Sequence, residues 1–345
     1  MASTNDAAHH PILTPSLSKG VRRICSHFVR SAAVAAVLLT AAHGARAEKI
    51  EAGAVGGPTA TMWLFYVGFD EGFFKKHDID LDIIFAPTAP GILQQLTAGS
   101  LDIVATTGVP EPIHAVDKGA NNIAIARIIG LNSPYAVEAK PTIASIKDLK
   151  GKTIVLGGLV DITSIYWRRM AAANGLQEGD VDITVIGATA GRFAALKSGT
   201  VDATMVLPPF NFLAEAAGFK NLGLVIDYVK DFPFTGLEVS KGWASAHMAT
   251  AKALLAALDE SAQWFYVPGN RDALIKMGAK NFNISEAEAT QSLDFLRKIQ
   301  YFAPDGKVSK RNLENLIAVM RKSGDVSNGV TASMLVMPGL TELVE

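Results

Sequence analysis

Short runs of β-branched and apolar residues alternate with amphipathic helical patterns over the first two thirds of the chain. In residues 91–98, for example, Ile92, Leu93 and Leu96 fall on one face of a helix with about 3.6 residues per turn. Strand–helix alternation of this kind predicts βαβ units and largely parallel pairing. After about residue 244 the pattern becomes helical throughout. The predicted strands cover residues 49–55, 79–85, 101–105, 123–129, 153–156, 181–185, 203–206 and 222–226.

A phrase near residue 100 returns one hundred residues later. Residues 96–103 read LTAGSLDI and residues 196–203 read LKSGTVDA, so each holds the end of a helix, a glycine and an aspartate that opens a strand. Gly99 and Gly199 stand where the carboxyl end of a helix needs a left-handed residue. Two copies at matching places in two βαβ runs indicate two similar lobes.

Four motifs resemble those of the periplasmic solute-binding proteins of nitrate, sulfonate and taurine ABC importers, a group that includes binders of thiamine-pyrimidine precursors. They are GFDEGFFKKHDIDL at residues 68–81, the phrase at 96–103, IKDLKGKTI at 146–154 and AALKSGTVDA at 194–203. All four occur in the order that the family shows, within residues 49–226.

This resemblance implies a two-lobed α/β fold of the periplasmic-binding-protein class (type II-like), with mixed sheets flanked by helices and a ligand cleft between the lobes. It places lobe one at residues 48–133 and 240–345, and lobe two at residues 138–234. The hinge crossings are then expected near residues 130–138 and 234–240, with the C-terminal helices packed on lobe one.

The first 47 residues have the order of a secretory signal peptide. Basic residues precede the apolar stretch SAAVAAVLLTAA at residues 31–42, and Ala45-Arg46-Ala47 supplies a small-residue cleavage pattern. We therefore expect cleavage after Ala47 and a location in the periplasm. The Arg22-Arg23 pair leaves both the general and the twin-arginine export routes open.

Composition and motifs argue against several classes of function. A formal net charge of -1 argues against a nucleic-acid binder, which needs a basic face. The single cysteine, Cys25, falls in the predicted leader, which excludes thiolate metal sites and cysteine nucleophiles from the mature chain. The sequence has no P-loop, dinucleotide fingerprint, nucleophile elbow or zinc-binding histidine pair. We therefore expect no cofactor, no metal and no enzymatic activity.

Candidate ligand-binding residues lie mainly in turns that follow the predicted strands, because ligands of open α/β sheets bind beyond the carboxyl ends of the strands. Glycine lets a ligand approach the backbone, and a guanidinium such as that of Arg192 can grip a carboxylate or sulfonate. Helix N-capping and core packing remain alternatives for the same residues. The predicted site residues are Gly57, Thr59, Thr61, Trp63, Thr88, Thr106, Thr107, Gly108, Gly158, Asp161, Thr163, Ser164, Arg192, Pro208 and Phe210.

The resemblance and the candidate site together predict a monomeric periplasmic receptor that captures a small organic solute and delivers it to an inner-membrane ABC permease. We expect an anionic or zwitterionic solute of the sulfonate, taurine, nitrate or carboxylate kind. Neutral donors such as Thr107 and Thr163 are expected to hold it more than Arg192 does. The alternatives are a ligand-sensing partner of a signalling receptor and a thiamine-pyrimidine-related binder or enzyme.

Overall fold

The computed structural model describes residues 47–345, so the predicted leader and Cys25 lie outside the described residues. Strands and helices alternate over the first part of this range, and helices dominate after residue 240. The strands are β1 (Glu48–Val55), β2 (Ile79–Ala86), β3 (Ile103–Gly108), β4 (Ile123–Gly130), β5 (Ala136–Ala139), β6 (Thr153–Leu156), β7 (Asp182–Val185), β8 (Ala203–Val206), β9 (Lys220–Leu224), β10 (Thr235–Ser240), β11 (Val308–Ser309) and β12 (Leu343–Val344). The α-helices are α1 (Trp63–Asp70), α2 (Phe73–Lys76), α3 (Ala89–Ala98), α4 (Pro110–Asp117), α5 (Ile162–Ala173), α6 (Thr189–Lys197), α7 (Phe210–Ala216), α8 (Lys241–Ala246), α9 (Met248–Tyr266), α10 (Arg271–Phe282), α11 (Glu286–Lys298) and α12 (Lys310–Lys322).

Two five-stranded mixed sheets form the frame of the molecule. The first sheet has the strand order β2-β1-β3-β10-β4, and the second has the order β7-β6-β8-β5-β9. Strands β1, β2 and β3 run parallel, as do β6, β7 and β8, which is the pairing that the strand–helix alternation predicts. One strand in each sheet, β10 or β5, runs antiparallel to both of its neighbours. The expected mixed α/β class with flanking helices is confirmed.

The chain passes from one sheet to the other twice. It leaves the first sheet between β4 and β5 and returns between β9 and β10. Strand β10 then lies inside the first sheet, between β3 and β4, although it follows the whole second sheet in sequence. These two passages overlap the expected hinge crossings near residues 130–138 and 234–240. The lobe boundaries drawn from the resemblance stay a prediction.

The repeated sequence phrase forms the same local structure in both sheets. Gly99 and Gly199 end α3 and α6 with φ values of 77° and 79°, which glycine adopts without strain. The aspartate three residues after each glycine ties its turn to the neighbouring strand. Asp102 accepts a hydrogen bond from the backbone N–H of Glu51 at 2.8 Å, and Asp202 accepts one from Thr153 at 3.0 Å.

The C-terminal helices complete the core beside the first sheet. Helices α9 and α10 pack on α1, where the fully buried Trp63 makes edge contacts with Phe265 and Phe282 at centroid distances of 5.9 and 5.1 Å. Helix α11 begins with a capping box formed by Ser285 and Glu288.

Candidate ligand-binding site

A cavity of about 980 Å³ lies between the two sheets, beyond the carboxyl ends of β1, β3 and β6. Turns from both sheets form its walls and touch at its margin. A Cβ atom on Gly56 would lie 3.3 Å from the Cβ of Ala188, and one on Gly187 would lie 2.6 Å from the carbonyl oxygen of Pro87. Glycine at positions 56 and 187 therefore lets the turns of the two sheets meet.

Most of the residues predicted from the sequence line this cavity. They come from the turns after β1, β2 and β6, from the last residues of β3 and from the N-terminal turns of α6 and α7. The lining residues among them are Gly57, Thr59, Thr61, Thr88, Thr106, Thr107, Gly108, Gly158, Asp161, Arg192 and Phe210. Whether each of them contacts a ligand stays a prediction.

Trp63 and Pro208 do not line the cavity. The ring of Trp63 lies in the core under α9 and α10, so the core-packing alternative applies to it. The carbonyl oxygen of Pro208 accepts a hydrogen bond from the backbone N–H of Ala60 at 3.2 Å, which joins a turn of the second sheet to one of the first. Pro208 therefore links turns that border the site, whereas Trp63 belongs to the core.

Thr163 and Ser164 also lie outside the cavity lining, and their hydroxyl groups are used within the first turn of α5. Thr163 donates to Oδ1 of Asp161 at 2.7 Å and accepts from the backbone N–H of Gly157 at 2.8 Å. Ser164 donates to the carbonyl oxygen of Asp161 at 2.9 Å. These contacts shape the turn that carries Asp161 into the cavity wall, and they occupy the Thr163 donor that was expected to hold an anion.

Arg192 lines the cavity, but its guanidinium is saturated by the protein. The side chain is buried and donates to three backbone carbonyls and two hydroxyl groups. The acceptors are the carbonyl oxygens of Met205, Ile186 and Gly187 and the side-chain oxygens of Tyr135 and Thr189. Arg192 therefore holds the turns of the second sheet together, and it has little capacity left for a ligand carboxylate or sulfonate.

Thr107 likewise has its donor engaged. Its hydroxyl donates to Oε2 of Glu238 at 2.6 Å, and both residues are buried. Glu238 lies on β10, next to β3, and burial raises its pKa to about 8. The hydroxyl oxygen of Thr107 can still accept a hydrogen bond from a ligand, but its proton is committed to Glu238.

Two carboxyl groups, Glu111 and Asp161, line the cavity from opposite sheets. Glu111 lies in the first turn of α4, and Asp161 is the N-cap of α5, where it accepts from the backbone N–H of Ser164 at 3.1 Å. A Cβ atom on Gly108 would lie within 2.8 Å of both the Glu111 carboxylate and the Cβ of Ile162, so this carboxylate reaches the start of α5. Burial, followed by the charge of Asp161, raises the pKa of Glu111 well above its ordinary value. Burial also raises the pKa of Asp161.

Tyr135 completes the polar wall. It is 6% exposed, and its hydroxyl oxygen accepts from Arg192 at 3.2 Å. Burial raises its pKa, so the hydroxyl keeps its proton at neutral pH. Among residues 47–345 the hydrogen bond from Arg192 is the one hydrogen-bond contact of this hydroxyl, so its proton has no protein acceptor there. Tyr135 is thus a protonated donor at the cavity wall.

Sequence reasoning missed Glu111, Tyr135 and Glu238. Glu111 lies three positions after the predicted site residues 106–108. The preference of ligands for the carboxyl ends of strands therefore points to Glu111 as well. Tyr135 and Glu238 belong to the passages between the sheets, and no local motif marks them. Only the strand order, which inserts β10 beside β3, brings Glu238 next to Thr107.

Residues 47–345 contain neither a candidate metal centre nor a candidate membrane span. Over residues 47–345, the structure gathers no group of three or more histidine, cysteine, aspartate or glutamate side chains suited to a metal ion. No helix in the same range has the length and apolar character needed to cross a membrane.

Known proteins with related sequences or folds include binding proteins and an enzyme. The formylaminopyrimidine-binding protein of Halalkalibacterium halodurans is 30% identical over 150 residues, which is 43% of this chain and 44% of that protein, so the match spans less than half of it. The alkanesulfonate-binding protein SsuA of Xanthomonas axonopodis pv. citri, solved with bound MOPS, superposes with a TM-score of 0.71 at 16% identity, over 84% of this chain and 98% of that one. The desulfurization enzyme DSZB superposes with a TM-score of 0.61 at 16% identity, over 84% of this chain and 97% of that one.

These likenesses agree with the two sheets and the cleft between them. The structural neighbours share the periplasmic-binding-protein fold, which confirms the fold that the sequence motifs imply. The sequence itself matches the NMT1/THI5-like family over residues 60–268, from the turn after β1 to the end of α9. The chain belongs to the NMT1/THI5-like family.

Proposed function

We propose that this protein is the solute-binding component of an ABC importer, which captures a small organic solute in the cleft and delivers it to a membrane permease. The observation that carries the proposal is the cavity of about 980 Å³ whose walls come from both sheets. A ligand that contacts both walls favours the closed arrangement over the open one, which is how a hinged receptor signals that it is loaded.

Of the expected solutes, a zwitterion is better supported than a simple anion. The guanidinium of Arg192 is occupied by protein acceptors, while Glu111 and Asp161 bring carboxyl groups to the wall. Helices α3 and α6 direct their N-terminal turns towards the cavity, which favours an anionic group on the same ligand. A molecule with both a positive and a negative group fits this arrangement.

Equilibrium dialysis against a library of small organic solutes tests the proposal. We expect binding by the unmodified protein and loss of binding in Gly57→Trp, because a side chain at Gly57 enters the cavity and meets no atom within 4 Å of its Cβ. Gly269→Trp is the matched control, since Gly269 also has free space around it and does not line the cavity. Folded protein that binds no compound of any class would contradict the proposal.

The proposal includes export to the periplasm, on the signal-peptide pattern of residues 1–47. Protein recovered from the periplasm of an expressing bacterium should begin at Glu48. Recovered protein that retains residues 31–42 would contradict this part of the proposal.

A role as the ligand-sensing partner of a signalling receptor would use the same cleft. Uptake of the radiolabelled ligand by cells with and without the gene separates the two roles, because only an importer component changes the uptake rate.

A further inference from the structure

We propose that the cavity recognises its solute through a cationic nitrogen group, an ammonium or an amidinium, which Glu111 and Asp161 bind from the two sides of the cleft. This inference rests on the proposed function and names the class of solute. Its structural basis is that one carboxyl group comes from the first sheet's side, on α4, and the other from the second sheet's side, at the start of α5.

The first argument is the balance of charge at the cavity wall. Glu111 and Asp161 are its acidic residues, and Glu238 lies directly behind Thr107. The guanidinium of Arg192 acts on Asp161 only through its charge, because its hydrogen bonds go to five other protein acceptors. Three carboxyl groups surround one committed guanidinium, and the pKa of each is raised, because the protein supplies too little positive charge here to hold them all ionised.

The other basic side chains at the lining are held elsewhere. Lys118 lies at the exposed margin and pairs with Asp117 at 3.0 Å. His114 directs Nδ1 to the carbonyl oxygen of Asp325 at 3.0 Å. Neither residue therefore neutralises the Glu111–Asp161 pair.

The second argument is that polar groups at the wall lack protein partners. Oε2 of Glu111 has no side-chain hydrogen-bond partner among residues 47–345, and only the backbone N–H groups of Glu111 and Ile162 lie near the carboxyl group. The Tyr135 hydroxyl, on a side chain 6% exposed, has a proton that no protein atom in this range accepts. Buried polar groups are almost always hydrogen-bonded, so groups left over at a cavity wall indicate what a ligand must supply. Here the missing pieces are a cationic donor for the Glu111 carboxyl group and an acceptor for Tyr135.

A cation also resolves the repulsion between the two carboxyl groups. Burial and the charge of Asp161 raise the pKa of Glu111, so without a ligand the pair retains a proton instead of holding two adjacent negative charges. An ammonium or amidinium between them replaces this proton and forms two charge-assisted hydrogen bonds, and it does so only when the two sides are together. The same contact can therefore provide both specificity and closure.

Matched pairs of solutes provide the test. The probes are taurine with ethanesulfonate, β-alanine with propanoate, and benzamidine with benzamide, so that each pair differs in its cationic nitrogen group. We expect at least one nitrogen cation to raise the melting temperature by more than about 2 °C at millimolar concentration, while its partner has no effect. Calorimetry in buffers of different ionisation enthalpy should show that the cation releases protons from the site.

Two isosteric variants link the effect to the named residues. Glu111→Gln and Asp161→Asn should each weaken binding of the cationic probe by about 10- to 100-fold and reduce the proton release. Asparagine caps a helix as well as aspartate does, so Asp161→Asn should keep α5 intact. Glu178→Gln, an exposed carboxylate outside the cavity lining, is the matched control and should bind normally.

The outcomes separate this inference from the function on which it rests. Binding of ethanesulfonate, propanoate or benzamide as tight as that of the matched cation would overturn the inference and leave the solute-binding function standing. Unchanged affinity in both Glu111→Gln and Asp161→Asn would also overturn it. If no probe and no library compound of any class binds folded protein, the proposed function fails, and the inference fails with it.

Discussion

Glu138 shows how a single buried acid can set the pH dependence of stability. It lies on β5 with no exposed surface, and neither carboxylate oxygen has a hydrogen-bond partner among residues 47–345. Burial, followed by the nearby charge of Glu215, raises its pKa to about 9. The folded state therefore holds a proton that the unfolded chain releases near its ordinary pKa of 4.5.

We predict that Glu138→Gln removes a pH-dependent loss of stability. With the folded pKa raised, the contribution of Glu138 is fully present below about pH 4.5 and is lost as the pH rises towards 9, at up to about 1.4 kcal/mol per pH unit. Urea unfolding should show that the free energy of unfolding falls less between pH 5 and pH 8 for the variant than for the unmodified protein. Equal falls in the two proteins would contradict this account.

Arg192 supports the second sheet, so its substitution should affect stability more than binding chemistry. Arg192→Lys removes the planar fork that serves five acceptors and leaves buried carbonyl oxygens without donors. We expect the free energy of unfolding to fall by about 2–4 kcal/mol, measured by urea denaturation. Unchanged stability with a large loss of ligand affinity would show instead that Arg192 is the ligand anchor.

At the residue scale, the sequence predicted which turns line the cavity, but it did not predict which of their side chains form hydrogen bonds within the protein. Position beyond a strand end was enough to select Thr107 and Arg192. Their hydrogen bonds to Glu238, Met205 and Tyr135 depend on contacts between distant segments, which no local pattern encodes. The expectation that Thr107 and Thr163 donate to an anion therefore loses its support, because both protons are used within the protein.

At the scale of elements, the hydrophobic pattern located eight strands within a few residues of their observed positions. Strands β5 and β10 were recognised only as crossings. Both are buried along their whole length, so they lack the alternation that marks a half-buried strand. Their antiparallel pairing also departs from the βαβ rule. In a βαβ unit a helix brings the chain back to a parallel strand of the same sheet, and no such helix follows β5 or β10.

The packing of α10 on α1 predicts an unusual response to alanine. A Cβ atom on Gly278 would lie 2.5 Å from the ring of Trp63. Gly278→Ala should therefore lower the free energy of unfolding by about 1–3 kcal/mol through overpacking, although alanine normally stabilises a helix relative to glycine. Gly242→Ala in α8 is the control, since its nearest neighbour would lie 3.5 Å away. Thermal denaturation in which both variants gain stability would contradict this packing.

At the scale of the whole molecule, a few contacts join the second sheet to the C-terminal segment. Arg168 on α5 forms an ion pair with Asp325, which follows α12, and the ring of Phe212 on α7 meets Phe295 on α11 at 5.9 Å. These contacts lie on segments that the fold brings together across the cleft. Closure is therefore expected to depend on them as well as on the ligand.

We predict that Asp325→Asn shifts the protein towards a more open arrangement. Loss of the pair with Arg168 should increase the radius of gyration in small-angle X-ray scattering and weaken ligand binding by a few-fold, about the effect of one partly exposed ion pair. The matched control is Asp231→Asn, which breaks the ion pair of Asp231 with Arg169, the residue that follows Arg168. An equal increase of the radius of gyration in Asp325→Asn and Asp231→Asn would contradict a specific role for Asp325.

Native mass spectrometry of freshly purified protein tests the central claim, that the cleft holds a small solute, most directly. We predict that part of the folded population, alone or after incubation with the solute library, exceeds the mass of the chain by one small organic molecule. Unfolding should release it, and Gly57→Trp should abolish it, because that side chain fills the cavity. A folded protein with the bare mass of the chain under all of these conditions, or an adduct that Gly57→Trp retains, would contradict the account.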